Sequence, residues 1–249
     1  MISLPGFLIW LPAPLAVSLA AVLQGITGFG FALIAVPLLM FVFDAHTAVV
    51  LNLLVSFCTQ LVLSLRVRQG IVRSLLIHLF QGSLLGIPAG LYVFLHFDVK
   101  SLKLLISILT IVFALVLLKL KTIKIAKLEG RWAEHLVGSL SGFLSTSIGI
   151  AGPPVILFLN HQDLSKDKFR ATASAYFTLL YAVSLALLAL SRGVNTKIIL
   201  NAALLLPFAF LGSSLGIYLF PRVSQKHFHY SVPLLVVATG LYSLLTTIL

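Results

Sequence analysis

Charge is scarce in this chain. Of its 249 residues, 9% are Asp, Glu, Lys or Arg, and only six are acidic, where an ordinary soluble domain carries about 25% charged residues. That deficit excludes a water-soluble globule. Cysteine is scarcer still: Cys58 stands alone, so disulfides within the chain and clusters of thiolate metal ligands are both ruled out. No Asp or Glu falls in the middle of a long apolar run, which argues against a carboxylate proton relay or sodium site. The first fourteen residues, Met1 to Pro14, contain no Lys or Arg. They therefore lack the basic start of a cleavable signal peptide and read as part of the first span. No metal site and no cofactor are expected.

What is abundant is apolar sequence, at 60% of residues. Eight uncharged runs cover most of the chain, at 1–43, 45–65, 74–97, 104–118, 135–162, 171–191, 198–221 and 227–249. Most reach the roughly 20 residues that a helix needs to cross a bilayer at about 1.5 Å per residue. A polytopic helical membrane protein of about 8 to 10 transmembrane segments follows. The net charge of +11 comes from basic residues in the short loops between runs. They have no aromatic interleaving, so they point to membrane orientation and lipid contact and not to nucleic acid.

The runs repeat. Lengths of 21 and 24 residues (45–65, 74–97) recur as 21 and 24 (171–191, 198–221). Gly86-Ile-Pro-Ala-Gly90-Leu-Tyr-Val-Phe94 aligns with Gly212-Ser-Ser-Leu-Gly216-Ile-Tyr-Leu-Phe220 at an offset of 126, and Gly25-Ile-Thr-Gly28-Phe-Gly30 aligns with Thr146-Ser-Ile-Gly149-Ile-Ala151 at an offset of 121. Such duplication is common in transporter folds. The chain divides into a first membrane repeat at 1–120, a basic cytoplasmic linker at 121–130 and a second repeat at 131–249.

The leading run of each half is too long for one straight span, since 43 residues would make a helix of about 65 Å and 28 residues one of about 42 Å. Both carry glycines near the middle, with Pro37, Pro153 and Pro154 close by, so each is expected to be two segments meeting at a non-helical point. The chain then returns to the side from which it came. Under that return the loops Arg66 to Arg73, Lys119 to Arg131, Lys166 to Arg170 and Arg222 to Lys226 share one face and hold 13 of the 17 Lys and Arg. The positive-inside rule makes that face cytoplasmic. Inverted repeats with both termini outside the cytoplasm are the expected topology.

In lipid, a broken helix survives only where protein or a water-filled cavity satisfies its freed backbone groups. Two breaks at matching positions therefore point to a binding site. The first offers Gln24, Gly25, Thr27, Gly28 and Gly30; the second offers Ser145, Ser147, Gly149 and Gly152. Glycine lets backbone amides approach a ligand, the hydroxyls and the Gln24 amide supply donors, and each following half-helix presents a positive dipole end. Together they suit a small anion. Asn52 and Thr172 follow the breaks by similar distances and are expected to complete the site from the next spans, although hydrogen bonding between helices would explain them equally well. Close helix packing is the rival reading of the glycines, and their duplication weighs against it. His78 lies well inside a run, where a packing role competes with that of a coupling-proton carrier. Lys166, Lys168 and Arg170 are expected to be exposed, steering anions toward the entrance, with no buried Lys or Arg in the site.

At these residues the sequence resembles the sulfite exporter TauE/SafE family, also called the TSUP transporters. The resemblance rests on Gln24-Gly-Ile-Thr-Gly-Phe-Gly30 leading to Pro37-Leu-Leu39, on Gly142-Phe-Leu-Ser145 leading through Gly149-Ile-Ala-Gly-Pro-Pro154, and on the Gly86/Gly90 and Gly212/Gly216 pairs. It implies a secondary transporter of small sulfur-containing or carboxylate anions, such as sulfite or organosulfonates, in a bacterial inner membrane. A coupling proton or cation would be a further partner, and the oligomeric state is left open. The rival readings are a passive anion channel of the same fold and an intramembrane enzyme. The latter is suggested only by Ser139-Leu-Ser141-Gly142, which has no deep histidine following it as a base.

Overall fold

The computed structural model describes residues 11–118, 130–192 and 194–219, with 237, 240, 241, 244 and 245. These residues are all helical, apart from turns and short connections. In the first half lie α1 (Pro12–Thr27), α2 (Phe31–Leu39), α3 (Ala45–Arg66), α4 (Arg73–His96) and α5 (Val99–Leu118), with a 3-10 turn at Arg68–Gly70. The second half holds α6 (Arg131–Ile148), α7 (Gly152–Asn160), α8 (Lys166–Arg192) and α9 (Thr196–Leu219). Among the described residues α3, α4, α5, α8 and α9 are long and apolar enough to cross a membrane. The protein is a polytopic helical membrane protein. Most of the Lys119 to Arg131 linker, the Arg222 to Lys226 loop, most of the last apolar run and both termini lie outside the described residues.

Both leading runs are broken where glycine allows it. The first stops at Gly28 (φ +83°) and restarts after Gly30 (φ +90°); the second stops at Gly149 (φ +75°). A positive φ ends a helix by turning the chain into the left-handed region, which costs other residues about 1 kcal/mol or more and glycine nothing. The segments after the breaks, α2 and α7, have nine residues each. At about 14 Å they reach roughly half the thickness of a hydrocarbon core.

The two halves exchange contacts. Helix α4 of the first half packs along α6 of the second, and α9 of the second packs along α1 of the first. Glycine makes both contacts possible. A Cβ on Gly86 would run into the carbonyl of Ser139 and one on Gly90 into that of Phe143, while Gly212 and Gly216 meet the carbonyls of Ser18 and Val22 in the same way. Ser139 and Phe143 stand 121 residues after Ser18 and Val22, and Gly86 and Gly90 stand 126 before Gly212 and Gly216. The offsets of the sequence repeat thus reappear as paired contacts, reciprocal in the way a two-fold relation requires. The outward faces of α4 and α9 expose Ile77, Leu84, Leu85, Tyr92, Leu204, Leu211, Leu215 and Tyr218. In water such a surface would be a liability, and in lipid it is the expected one.

Three basic segments meet at one end of the bundle. Gly70 lies against the carbonyl of Asp167, the Val72 N–H donates to Thr172 Oγ1 at 3.0 Å, and His78 on α4 pairs with Glu134 on the first turn of α6. Arg66 to Arg73, Arg131 and Lys166 to Arg170 are therefore neighbours. A leading run that crossed only once would have placed Lys166 to Arg170 at the opposite end from Arg66 to Arg73.

Candidate functional site

The first break is organised by its own threonine. Thr27 Oγ1 lies 2.9 Å from the Leu23 carbonyl and 2.6 Å from that of Phe29, and it accepts the Phe29 N–H at 3.2 Å. Gly28 N–H closes the end of α1 on the Gln24 carbonyl at 2.7 Å. With its single proton committed to backbone oxygen, the Thr27 hydroxyl shapes the turn. The first turn of α2 then begins at Phe31, where helix geometry leaves N–H groups without intrahelical partners.

Both breaks are held by one stripe of α3. Asn52 Nδ2 donates to the Gly149 carbonyl of the second break at 3.0 Å, and Gln60 Nε2 donates to the Gly28 carbonyl of the first at 2.9 Å. Ser56 lies between them, 3.5 Å from Asn52 Oδ1. Positions 52, 56 and 60 recur at i, i+4 and i+8, which places them on one face over about 12 Å of helix. Thr59 Oγ1, beside Gln60, lies 3.0 Å from Gln24 Oε1 and within 3.1 Å of the Val55 and Ser56 carbonyls. Gln24 and Gln60 are 1% and 2% exposed. Among the described residues, Gln24 Nε2 and Gln60 Oε1 remain buried polar atoms without a hydrogen bond, a costly condition that marks a place for a polar ligand or water.

Helix α8 completes the first break with a residue expected elsewhere. Lys166 and Lys168 are exposed, as the sequence suggests, but Arg170 is only 9% exposed. Its guanidinium donates to the Gly25 carbonyl at 2.6 Å, and its stem packs on Gly28. The expectation that Arg170 is exposed is therefore corrected. Lys166 and Arg170 are four residues apart, but α8 starts at Lys166, so one turn carries the chain from the surface to the inside of the bundle. One further turn along, Ser174 Oγ is also buried without a partner among the described residues.

The second break is differently equipped. Ser145 Oγ lies 3.0 Å and Thr146 Oγ1 3.3 Å from Ser184 Oγ of α8, Ser147 donates back to the Phe143 carbonyl at 2.7 Å, and Ser141 donates to the Ala151 carbonyl at 2.7 Å. A Cβ on Gly149 would meet Asn52, Val49 and Val36. Gly152 is buried, yet open space surrounds the position that its Cβ would take. Helix α7 then opens on Pro153 and Pro154, which carry no N–H. Two of the donors that a half-helix would offer an anion are thereby missing, while α2 opens on Phe31, Ala32 and Leu33 with all of theirs.

Of the residues singled out from the sequence, Gln24, Gly25, Thr27, Gly28 and Gly30 form the first break, Ser145, Ser147, Gly149 and Gly152 form or flank the second, and Asn52 joins it. Thr172 lies apart, against Val72 at the basic end. The sequence reading passed over Thr59 and Ser184, gave Gln60 no place at the breaks and set Arg170 at the surface. For Gln60 there was a signal, its spacing of two turns from Asn52. Arg170 carried none, because in sequence it closes a basic loop.

Residues 13–243, nearly the whole chain, match the family described as Sulfite exporter TauE/SafE. No curated protein and no solved structure matches. With its paired broken helices, its lipid-facing apolar surface and this match, the chain belongs to the sulfite exporter TauE/SafE family of membrane transporters.

Proposed function

We propose that the protein is a secondary transporter of small anions, of the class of sulfite, organosulfonates and related sulfur-containing or short carboxylate anions. The substrate is held between the two broken helices and exposed to either side in turn. The observation that carries this reading is the stripe of α3, where Asn52 holds Gly149 and Gln60 holds Gly28. One rigid helix thus anchors two non-helical segments from opposite halves at points about 12 Å apart along its axis. Irregular backbone inside a membrane must be buried in protein or line a cavity, and discontinuous helices in paired repeats are how carriers build a substrate site. The repeats are taken as 1–120 and 131–249, joined by 121–130. In a bacterial inner membrane the basic end would face the cytoplasm and both termini the other side.

Direct binding of sulfite, thiosulfate, short sulfonates and short carboxylates to the purified protein tests the substrate class. Counterflow in liposomes tests the mechanism. A carrier accumulates labelled anion against an unlabelled load, whereas a channel lets the gradient collapse, and that collapse would replace the carrier with a pore.

A further inference from the structure

We propose that Arg170 recognises the negative charge of the substrate, and that the anion subsite is the first break alone. The proposal deepens the reading of the chain as an anion carrier and rests on it. The two breaks are alike in sequence but unequal in chemistry. At the second, Pro153 and Pro154 remove donors from the start of α7, and the hydroxyls of Ser141 and Ser147 donate to backbone carbonyls. At the first, the start of α2 keeps its N–H groups, and Arg170 reaches Gly25 from α8. Among the described residues Arg170 is the only buried Lys or Arg.

A guanidinium is costly to bury, and the fold retains one where its charge is used or well compensated. Here the carbonyl end of α1, the negative end of that helix, receives it. The guanidinium is a planar fork of five N–H donors, a shape that suits the paired oxygens of a sulfonate, sulfite or carboxylate. Gln24 supplies a second, independent sign of a ligand. Its Oε1 lies 3.0 Å from Thr59 Oγ1, and its Nε2 is buried without a partner among the described residues. The Gln24 amide, the Gly25 carbonyl that holds Arg170 and the N-terminus of α2 thus fall within one stretch of chain, residues 24–31. The ligand class is a small oxyanion headgroup, and a neutral isostere should be refused.

The test uses the full chain in detergent with methanesulfonate, sulfite and acetate as probes and methanesulfonamide as the neutral control. Arg170→Gln should weaken binding of every anion that wild type binds by about 100-fold or more, while Arg170→Lys, which keeps the charge but loses the fork, should cost about 10-fold. Wild type should bind methanesulfonate at least about 100-fold more tightly than methanesulfonamide. An Arg170→Gln protein that elutes like wild type, melts at a lower temperature and binds anions with unchanged affinity would make Arg170 a cap on α1 and overturn the proposal. If Arg170→Gln does not fold, wild type labelled with ¹⁵N in its arginines decides. Saturation with methanesulfonate should shift the resonance of the buried guanidinium, and its failure to move would overturn the assignment. Binding of none of the three anions by wild type would overturn the carrier reading itself, an outcome distinct from a wild type that binds beside an unaffected Arg170→Gln.

Discussion

The side-chain amide of Asn52 donates to the carbonyl of Gly149, 97 residues further along the chain. Through that bond a helix of the first half supports the broken helix of the second. Asn52 is fully buried, so its removal leaves a carbonyl in the bundle without its donor. Asn52→Leu should lower stability by about 1 to 3 kcal/mol, read as an earlier thermal transition in detergent. A melting curve identical to wild type would show that water or a shifted side chain replaces the bond.

Glycines of the crossed pairs and of the second break should rank by what surrounds them. At Gly86 a methyl group meets the Ser139 backbone, which cannot rotate away, and Gly149 combines a positive φ with contacts to Asn52 and Val49. Gly86→Ala and Gly149→Ala should each cost about 1 to 3 kcal/mol or more. Gly152→Ala, with open space around the added carbon, should leave stability within about 0.5 kcal/mol. Comparable losses at all three positions would mean that α7 sits closer to its neighbours than described.

Acid should unfold part of this protein through a helix cap. Asp44 accepts the Thr47 N–H at 3.0 Å and the Thr47 hydroxyl at 2.6 Å at the start of α3. Partial burial pushes its carboxyl up, but the bonds from Thr47 and the nearby His46 outweigh this and hold it below the usual carboxylate value. A lowered folded-state pKa gives stability that is present above the unfolded value of about 3.9 and is lost as pH falls through the folded one. Asp44→Ala should cost about 1 kcal/mol at neutral pH, while Asp44→Asn, itself a good cap, should cost little there and remove this share of the acid sensitivity. Melting temperatures between pH 3 and 7 check both.

Lys166 and Lys168 are exposed at the basic end, so any effect they have on anion uptake should be long-range. Replacing both by Gln should slow anion uptake at low ionic strength and have little effect near physiological salt, where charges are screened over about 8 Å. Uptake reduced equally at both salt concentrations would place a lysine in contact with substrate.

His78 and Glu134 join α4 to α6 at the same end, with side chains 22% and 15% exposed, and His78 also lies against the His135 ring. His78→Leu should destabilise by about 1 to 3 kcal/mol, because a half-buried carboxylate loses its partner. Glu134→Gln, which keeps a hydrogen-bonding group, should cost less. Equal melting temperatures in both variants and wild type would show the pair to be a surface ornament of the interface.

The sequence by itself determined that this is a helical membrane protein, because 9% charge and eight apolar runs leave no other solvent than lipid for its surface. It also placed both breaks, since glycine followed by a restarting apolar segment is a local backbone signal that needs no knowledge of neighbours. The crossed packing of α4 on α6 and α9 on α1 was present only as a pair of matching offsets, and the tertiary structure turned those offsets into contacts. Thr27, expected to donate to a ligand, has its proton on the backbone, a matter of a few tenths of an ångström that spacing does not encode. Arg170 was decided by tertiary structure alone. A basic residue at the end of a charged loop reads as exposed, and only the start of α8 at Lys166, with α8 pressed against Gly28, turns its guanidinium inward to the carbonyl of Gly25.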